Sequence, residues 1–100
     1  MSDPLPMRLN DANARRLLRE IAQDSSNVIF TAHARKRMKE RKITSMQVLA
    51  CLQGGVVTEP VALDIHQCWK LTLTHRVAGN NMEVAVAIDL PKRAIIITVI

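Results

Sequence analysis

Residues 69–88, WKLTLTHRVAGNNMEVAVAI, decide the fold class of this chain. From Trp69 to Val77 large apolar side chains alternate with polar ones, which is the period of a β-strand with one buried face. Ala78-Gly79-Asn80-Asn81 is typical of a tight turn. The alternation resumes from Met82 to Ile88, so the stretch predicts an antiparallel hairpin.

Further strands are predicted on both sides of this hairpin. Asp89-Leu90-Pro91-Lys92 is a second turn, and it leads to a buried strand from Ala94 to Ile100. Before the hairpin, Val56 to Glu59 is a short strand, and Pro60 predicts that it is an edge strand or carries a bulge. The C-terminal half thus predicts a meander of three or four antiparallel strands.

Two helices are predicted in the N-terminal part. Apolar residues recur with helical spacing after Asn10, a suitable N-cap, and predict a helix that ends near Gln23. Val28 to Phe30 is a short apolar segment that an extended conformation would suit. Thr31 then caps a second helix from Ala32 to Arg41.

A third helix completes the predicted domain. Thr44 and Gln47 fit a capping box, and Gly54-Gly55 ends the helix. Helices followed by a meander indicate an α+β fold, in which N-terminal helices pack on a three- to four-stranded antiparallel sheet. Residues 1–9 contain two prolines and are predicted to be an extended tail, and residues 10–100 a single domain.

The composition is that of a small cytoplasmic protein. With 48% hydrophobic and 23% charged residues, the 100-residue chain has the balance of an ordinary globular domain. No apolar run suits a secretory signal or a membrane span, so no membrane partner is expected. Cys51 and Cys68 fall in helical and strand patterns, and we interpret them as reduced packing residues.

Positive charge is concentrated in the second predicted helix. The net charge is +5, and the segment Arg35 to Lys42 holds six cations against the single acid Glu40, so it accounts for the whole excess. A concentrated stripe of this kind attracts polyanions such as RNA. The alternative is an ordinary solvated helix face, which many charge runs are.

The same helix carries the residues best suited to chemistry. His33, Arg37 and Arg41 follow one another at i, i+4 and i+8, so their side chains line one flank. Metal-free RNA cleavage needs a group that moves protons and fixed cations that hold the phosphate. In the alternative interpretation His33 caps or packs, and the arginines lie over the sheet, paired to Glu59 or Asp64.

The predicted central strand offers a second polar set. Its polar positions share one face and are Lys70, Thr72, Thr74 and Arg76. This face is either the floor of a groove walled by the second helix or a solvent-exposed surface without a role. His75 belongs to the apolar side by parity, and His66 falls in a turn where no role can be assigned.

Other functional classes find less support. The spacing of His66, Cys68 and His75 matches no metal site, and the chain has no glycine-rich phosphate loop, so neither a metal nor a small-molecule cofactor is expected. The third helix has almost nothing polar to offer a base edge, which argues against a DNA-reading helix-turn-helix. With Phe30 and Trp69 the only aromatic residues, a base-stacking platform is not expected.

The helix segment resembles a known family. Phe30-Thr31-Ala32-His33-Ala34, with Arg37-Met38, Arg41 and Ile43-Thr44, is similar to a small bacterial family of unknown function. Its members carry a His-Ala-x-x-Arg-Met-x-x-Arg-Gly-Ile segment. The resemblance covers about Val28 to Ile100, and Lys42 stands where the family usually has glycine.

That family is similar in layout to the RelE and BrnT toxins. The resemblance implies a barnase/RelE-like fold, metal-independent RNA cleavage and an acidic antitoxin partner from a neighbouring gene. It marks His33, Arg37 and Arg41 as the motif positions. This chain has no tyrosine, although such toxins often use an aromatic residue or an acid near the C-terminus.

The leading hypothesis is an endoribonuclease toxin of a bacterial toxin–antitoxin pair, acting on free or ribosome-bound RNA. In it His33 is the catalytic acid or base and Arg37 and Arg41 clamp the phosphate. The steering and second-rank RNA-binding residues are Arg35, Lys36, Lys39, Lys70 and Arg76. The alternatives are a non-catalytic module that binds RNA, the ribosome or an acidic protein through the same helix, and a structural or phage-borne inhibitor protein.

Overall fold

The computed structural model describes residues 10–63, 68–77, 79–89 and 93–100. Its elements, in chain order, are α1 (Asp11–Ala22), a 3-10 turn (Ser25–Asn27), β1 (Val28–Phe30), α2 (Ala32–Arg41), α3 (Ser45–Gly54), β2 (Val56–Leu63), β3 (Trp69–Val77), β4 (Asn80–Asp89) and β5 (Arg93–Val99). The predicted tail at 1–9 lies outside the described residues, as do His66 and most of the turn at 89–92.

The α+β class is confirmed, but the sheet is larger than the sequence indicates. Five strands of the described chain form one sheet in the order β1-β5-β4-β3-β2. The pairs β2–β3, β3–β4 and β4–β5 are antiparallel, whereas β1 runs parallel to β5. The prediction of three or four antiparallel strands missed β1, because a three-residue strand is too short to show an alternating pattern.

The edge strand β2 has the irregularity that Pro60 predicts. Its pairing with β3 shifts register between Val57 and Glu59 and again between Glu59 and Ala62. Proline donates no hydrogen bond to a ladder and is therefore tolerated at an edge. These shifts and the edge position are the two options that the sequence offered, and both occur.

The three helices and the inner face of the sheet share one hydrophobic core. Its fully buried side chains come from every layer and include Ala14, Leu18, Ile21, Ala34, Val48, Cys51, Val84, Val86, Ile96 and Val99. Apolar burial of this kind is the main driving force for folding. Within the described ranges no helix is both long and apolar enough to cross a membrane.

Polar side chains cap the helices as the sequence predicts. The Asn10 side chain accepts a hydrogen bond from the Asn13 N–H at 2.8 Å at the start of α1. At α3 the Thr44 hydroxyl accepts from the Gln47 N–H at 3.1 Å, and the Gln47 side chain accepts from the Thr44 N–H at 2.9 Å. This reciprocal capping box satisfies two N–H groups that would otherwise lack partners.

Candidate nucleic-acid interface

Helix α2 is tied to the sheet at its first residue and packs through one side. The hydroxyl of its N-cap, Thr31, accepts from the Ala34 N–H at 3.1 Å and donates to the Ile96 carbonyl at 2.9 Å. Ala34 is fully buried, and Met38 packs against the same core. The helix therefore turns this one apolar side inward and leaves most of its surface to solvent.

The outward surface of α2 and the residue after it is strongly basic. It carries five exposed cations, which are Arg35, Lys36, Lys39, Arg41 and Lys42. With about 3.6 residues per turn, Lys36 lies roughly opposite the buried Ala34, at the crest of the exposed surface. We call this set the α2 basic surface. Fixed cations on one convex surface favour binding of a polyanion.

The helix ends in a left-handed turn that adds one of these cations. Lys42 has φ 57° and ψ 45°, the left-handed conformation that glycine adopts most readily. The Ile43 N–H donates to the Met38 carbonyl at 2.8 Å, and the Lys42 N–H donates to the Lys39 carbonyl at 3.3 Å. These are the two hydrogen bonds of a Schellman motif, and the residues at its two hydrophobic positions, Met38 and Ile43, both pack against the core.

One flank of α2 carries the predicted motif residues. His33 is exposed, and no hydrogen bond or ion pair joins its ring to another described residue. Arg37, one turn later, forms an ion pair with Glu40 at 3.5 Å and keeps 32% of its side chain exposed. Arg41 is exposed in the following turn. Arg37 is thus paired within its own helix, and Glu59, a partner considered for it, accepts instead from the Thr72 hydroxyl at 2.6 Å.

The other flank carries a contact that sequence reasoning missed. The Arg35 guanidinium carbon lies 5.7 Å from the centroid of the Phe30 ring, within the range of a cation–π contact. Phe30 is the last residue of β1 and is half-buried against the core. The sequence signal for this contact is an aromatic residue and an arginine five residues apart across a strand–helix junction. This spacing matches neither the helix period nor the strand period, so periodicity does not predict the contact.

Lys70 and Arg76 lie on the opposite face of the sheet from the helices. Leu71 and Leu73 of the same strand are buried in the core beneath the helices, so the residues that alternate with them point away. Strand β4 also separates β3 from β5, against which α2 packs. The groove between α2 and the polar face of β3, one of the two expectations, is therefore not formed.

The open face of the sheet has its own shallow cavity of about 260 Å³. Its lining is mixed and consists of Glu59, Pro60, Lys70, Leu71, Thr72, Ala85 and Ile97. No residue of α2 contributes to this lining, so the cavity is separate from the α2 basic surface.

Histidine and cysteine side chains elsewhere have packing positions. His75 is half-buried opposite Met82, and a Cβ placed on Gly54 would lie 3.7 Å from its ring, so His75 covers the end of α3. Cys51 and Cys68 do not form a disulfide, and burial raises the pKa of Cys51 to about 12. In the part of the chain that the structure describes, no three His, Cys, Asp or Glu side chains are grouped as a metal site.

Comparison with known proteins supports the resemblance at family level. A family model described as a domain of unknown function, DUF4258, matches residues 30–100. The chain belongs to this family. No curated protein and no solved structure matches the chain. The DUF4258 match begins at Phe30 and contains α2, α3 and the strands β2 to β5, whereas α1 lies outside it.

Proposed function

We propose that this DUF4258 protein is a metal-independent endoribonuclease toxin of a bacterial toxin–antitoxin pair, and that RNA lies on the α2 basic surface. The observation that carries the proposal is the arrangement of α2. A solvent-accessible imidazole, His33, lies in its first turn, exposed cations follow it along the helix, and Arg37 and Arg41 lie in the next two turns of the same flank. Arginine suits phosphate because its planar fork bonds two oxygens at once.

The proposed reaction needs only groups present in the protein and in water. The ribose 2′-oxygen loses its proton and attacks the adjacent phosphorus, and the bond from phosphorus to the 5′-oxygen breaks as that oxygen gains a proton. His33 provides one of these two proton transfers and water the other. Arg37 and Arg41 neutralise the charge that builds on the phosphoryl oxygens. The charges of Arg35, Lys36 and Lys39 steer the RNA towards this flank.

A barnase/RelE-like fold and an acidic antitoxin belong to the same proposal. Three helices on one face of a meander sheet suit that fold, although fold alone does not decide function. An acidic partner that covers the α2 basic surface would be attracted by it and would exclude RNA. Both RNA and antitoxin place the protein in the cytoplasm. Lys70 and Arg76 lie on the other face of the sheet, so RNA contacts at these two residues would be separate from the α2 basic surface.

A second candidate function is a non-catalytic module that binds RNA, the ribosome or an acidic protein through α2. The pairing of Arg37 with Glu40 favours it, because the ion pair lowers the charge available to stabilise a transition state at that position. The location of Lys70 and Arg76 on the other face of the sheet favours it as well. Without them, the described cations beside His33 come from α2 alone and do not enclose a phosphate from two sides. Such a module predicts salt-sensitive binding without cleavage.

The decisive experiment is a short induced expression in bacterial cells with RNA 5′ ends mapped across the transcriptome. Wild type should create new ends, His33→Ala should not, and His75→Gln should behave as wild type because His75 lies against α3. A folded, equally abundant His33→Ala protein that still cleaves would contradict the proposed role of His33. Unchanged RNA with soluble wild type would instead support the binding module.

A further inference from the structure

We infer that Arg35 and Phe30 together form a binding position for one unpaired base of RNA, at the flank of α2 that faces away from His33. The inference rests on the proposed function in that RNA is the ligand of α2. It adds a contact to the base, whereas the charges of the α2 basic surface account only for contacts to phosphate.

The two side chains are held by rigid elements. Phe30 ends β1, whose pairing with β5 extends to Phe30 and Ile96. A single residue, Thr31, separates β1 from α2, and its N–H and hydroxyl both bond to the Ile96 carbonyl, at 3.2 and 2.9 Å. Arg35 follows one turn into α2, and its own N–H donates to the Thr31 carbonyl at 2.9 Å. The ring and the guanidinium therefore meet without either backbone being mobile.

This contact lies at the protein surface. Phe30 is half-buried, and the carbon of the Arg35 guanidinium lies 5.7 Å from the centroid of its ring. Arg35 itself is exposed, so its side chain is accessible to a base. Bases of single-stranded RNA stack on arginine planes as well as on aromatic rings. A guanidinium whose position is already favoured by a cation–π contact loses less freedom when a base stacks on it.

The low aromatic content of the chain does not oppose this arrangement. Phe30 and Trp69 are the only aromatic residues, which led us to expect no stacking platform. Here the group that stacks on the base is the planar guanidinium of Arg35, and the Phe30 ring forms a cation–π contact with that guanidinium. One base position is formed, and a continuous platform of several rings is not required.

The position also defines how a strand would cross the helix. Arg35 and His33 lie on opposite flanks of α2, with Lys36 between them at the crest. A strand whose base stacks on Arg35 passes its backbone over Lys36 before it reaches His33. The stacked base therefore belongs to the same strand as the phosphate that His33 would act on, on the other side of Lys36, where it can influence which nucleotide is selected.

Two variants separate base stacking from charge. Phe30→Leu keeps an apolar side chain and every cation, and Arg35→Lys keeps the charge but removes the plane. Affinity is measured at fixed salt for a fluorescent, uncleavable 2′-O-methyl oligouridine and for inorganic polyphosphate, which has no bases. Both variants should bind the RNA about five- to tenfold more weakly than wild type. Their affinity for polyphosphate should equal that of wild type.

The outcomes distinguish this inference from the proposed function. RNA affinity equal to wild type in the folded Arg35→Lys protein would overturn the base position and leave RNA binding by α2 intact. Equal losses for RNA and polyphosphate would also overturn it, because Arg35 would then be a phosphate contact alone. Failure of wild type to bind either polyanion would overturn both. Arg35 is exposed, so its variant keeps the test valid even where Phe30→Leu destabilises the fold.

Discussion

The Thr31 hydroxyl donates to the carbonyl of Ile96 at 2.9 Å, which fixes the start of the basic helix to strand β5. A second acceptor, the Ile97 carbonyl, lies 3.1 Å away, next to the point where β5 shifts its register against β4. The Thr31 hydroxyl oxygen also accepts a hydrogen bond from the Ala34 N–H. The Thr31 side chain thus fixes the start of the α2 basic surface relative to the sheet.

Replacing Thr31 therefore tests this joint. Thr31→Val keeps the shape but removes the cap and the bond to β5, so we expect it to lower the free energy of unfolding by about 2 kcal/mol. Thr31→Ser keeps the oxygen and should cost well under half as much. Urea unfolding of both variants provides the comparison. A Thr31→Val protein as stable as Thr31→Ser would show that the hydroxyl contributes nothing.

Among the described residues, Lys42 is the non-glycine residue with positive φ. Lys42→Gly should raise the free energy of unfolding by about 0.5–1 kcal/mol, because a side chain is disfavoured in the left-handed conformation. Lys39→Gly, inside the helix, is the matched control and should cost about 1 kcal/mol. Thermal unfolding measures both, and destabilisation by Lys42→Gly would contradict the observed end of α2.

Two adjacent glycines at the end of α3 should respond differently to alanine. A Cβ on Gly55 would lie 2.6 Å from the Cys51 carbonyl oxygen and 3.2 Å from that of Thr74, both backbone atoms. Gly55→Ala should therefore destabilise the protein by about 1–3 kcal/mol. Gly54→Ala has ordinary contact distance and should be neutral or slightly stabilising. Equal effects in denaturant unfolding would contradict the close approach of α3 to β3.

The two thiols should differ in reactivity and in their link to stability. Burial raises the pKa of Cys51 from 9.0 to about 12, so the folded protein holds this proton more tightly than the unfolded chain. The associated stabilisation is complete below pH 9 and is lost as the pH rises towards 12.

A thiol reagent at pH 8 should label the half-buried Cys68 and spare Cys51 until denaturant is added. Cys68→Ser should abolish labelling of the folded protein. Rapid labelling of that variant would contradict the burial of Cys51.

The sequence predicts local structure best where a side chain and a nearby backbone group decide it. The ends of α2 and the capping box at Thr44 and Gln47 follow from hydrogen bonds between residues three apart, and the structure has them at the predicted positions. The predicted alternation of buried and outward-facing side chains along β3 is also found in the structure, because its period depends only on which face of the strand is buried.

Non-local relationships could not be predicted in the same way. The parallel pairing of Val28 with Ala94 joins residues that are remote in the chain, and β1 is too short for its sequence pattern to predict this pairing. The face of the sheet that α2 covers depends on the packing of Ala34 in the core. The sequence alone therefore does not predict that Lys70 lies on the face away from α2. The contacts Arg35–Phe30 and Arg37–Glu40 depend on side-chain rotamers, which periodicity does not determine.

The central claim is that RNA binds the α2 basic surface and not the open face of the sheet. It is tested by the salt dependence of affinity for a fluorescent, uncleavable RNA with two variants of equal net charge. One replaces Arg35, Lys36 and Lys39 by glutamine, and the other replaces Lys70, Arg76 and Arg93, which are exposed on β3 and β5.

The helix variant should lose affinity, and the slope of log K against log salt should fall by about 0.7 for each phosphate contact removed. The sheet variant should keep most of the wild-type affinity and its slope. Equal losses in the two folded variants, or a larger loss in the sheet variant, would contradict the account.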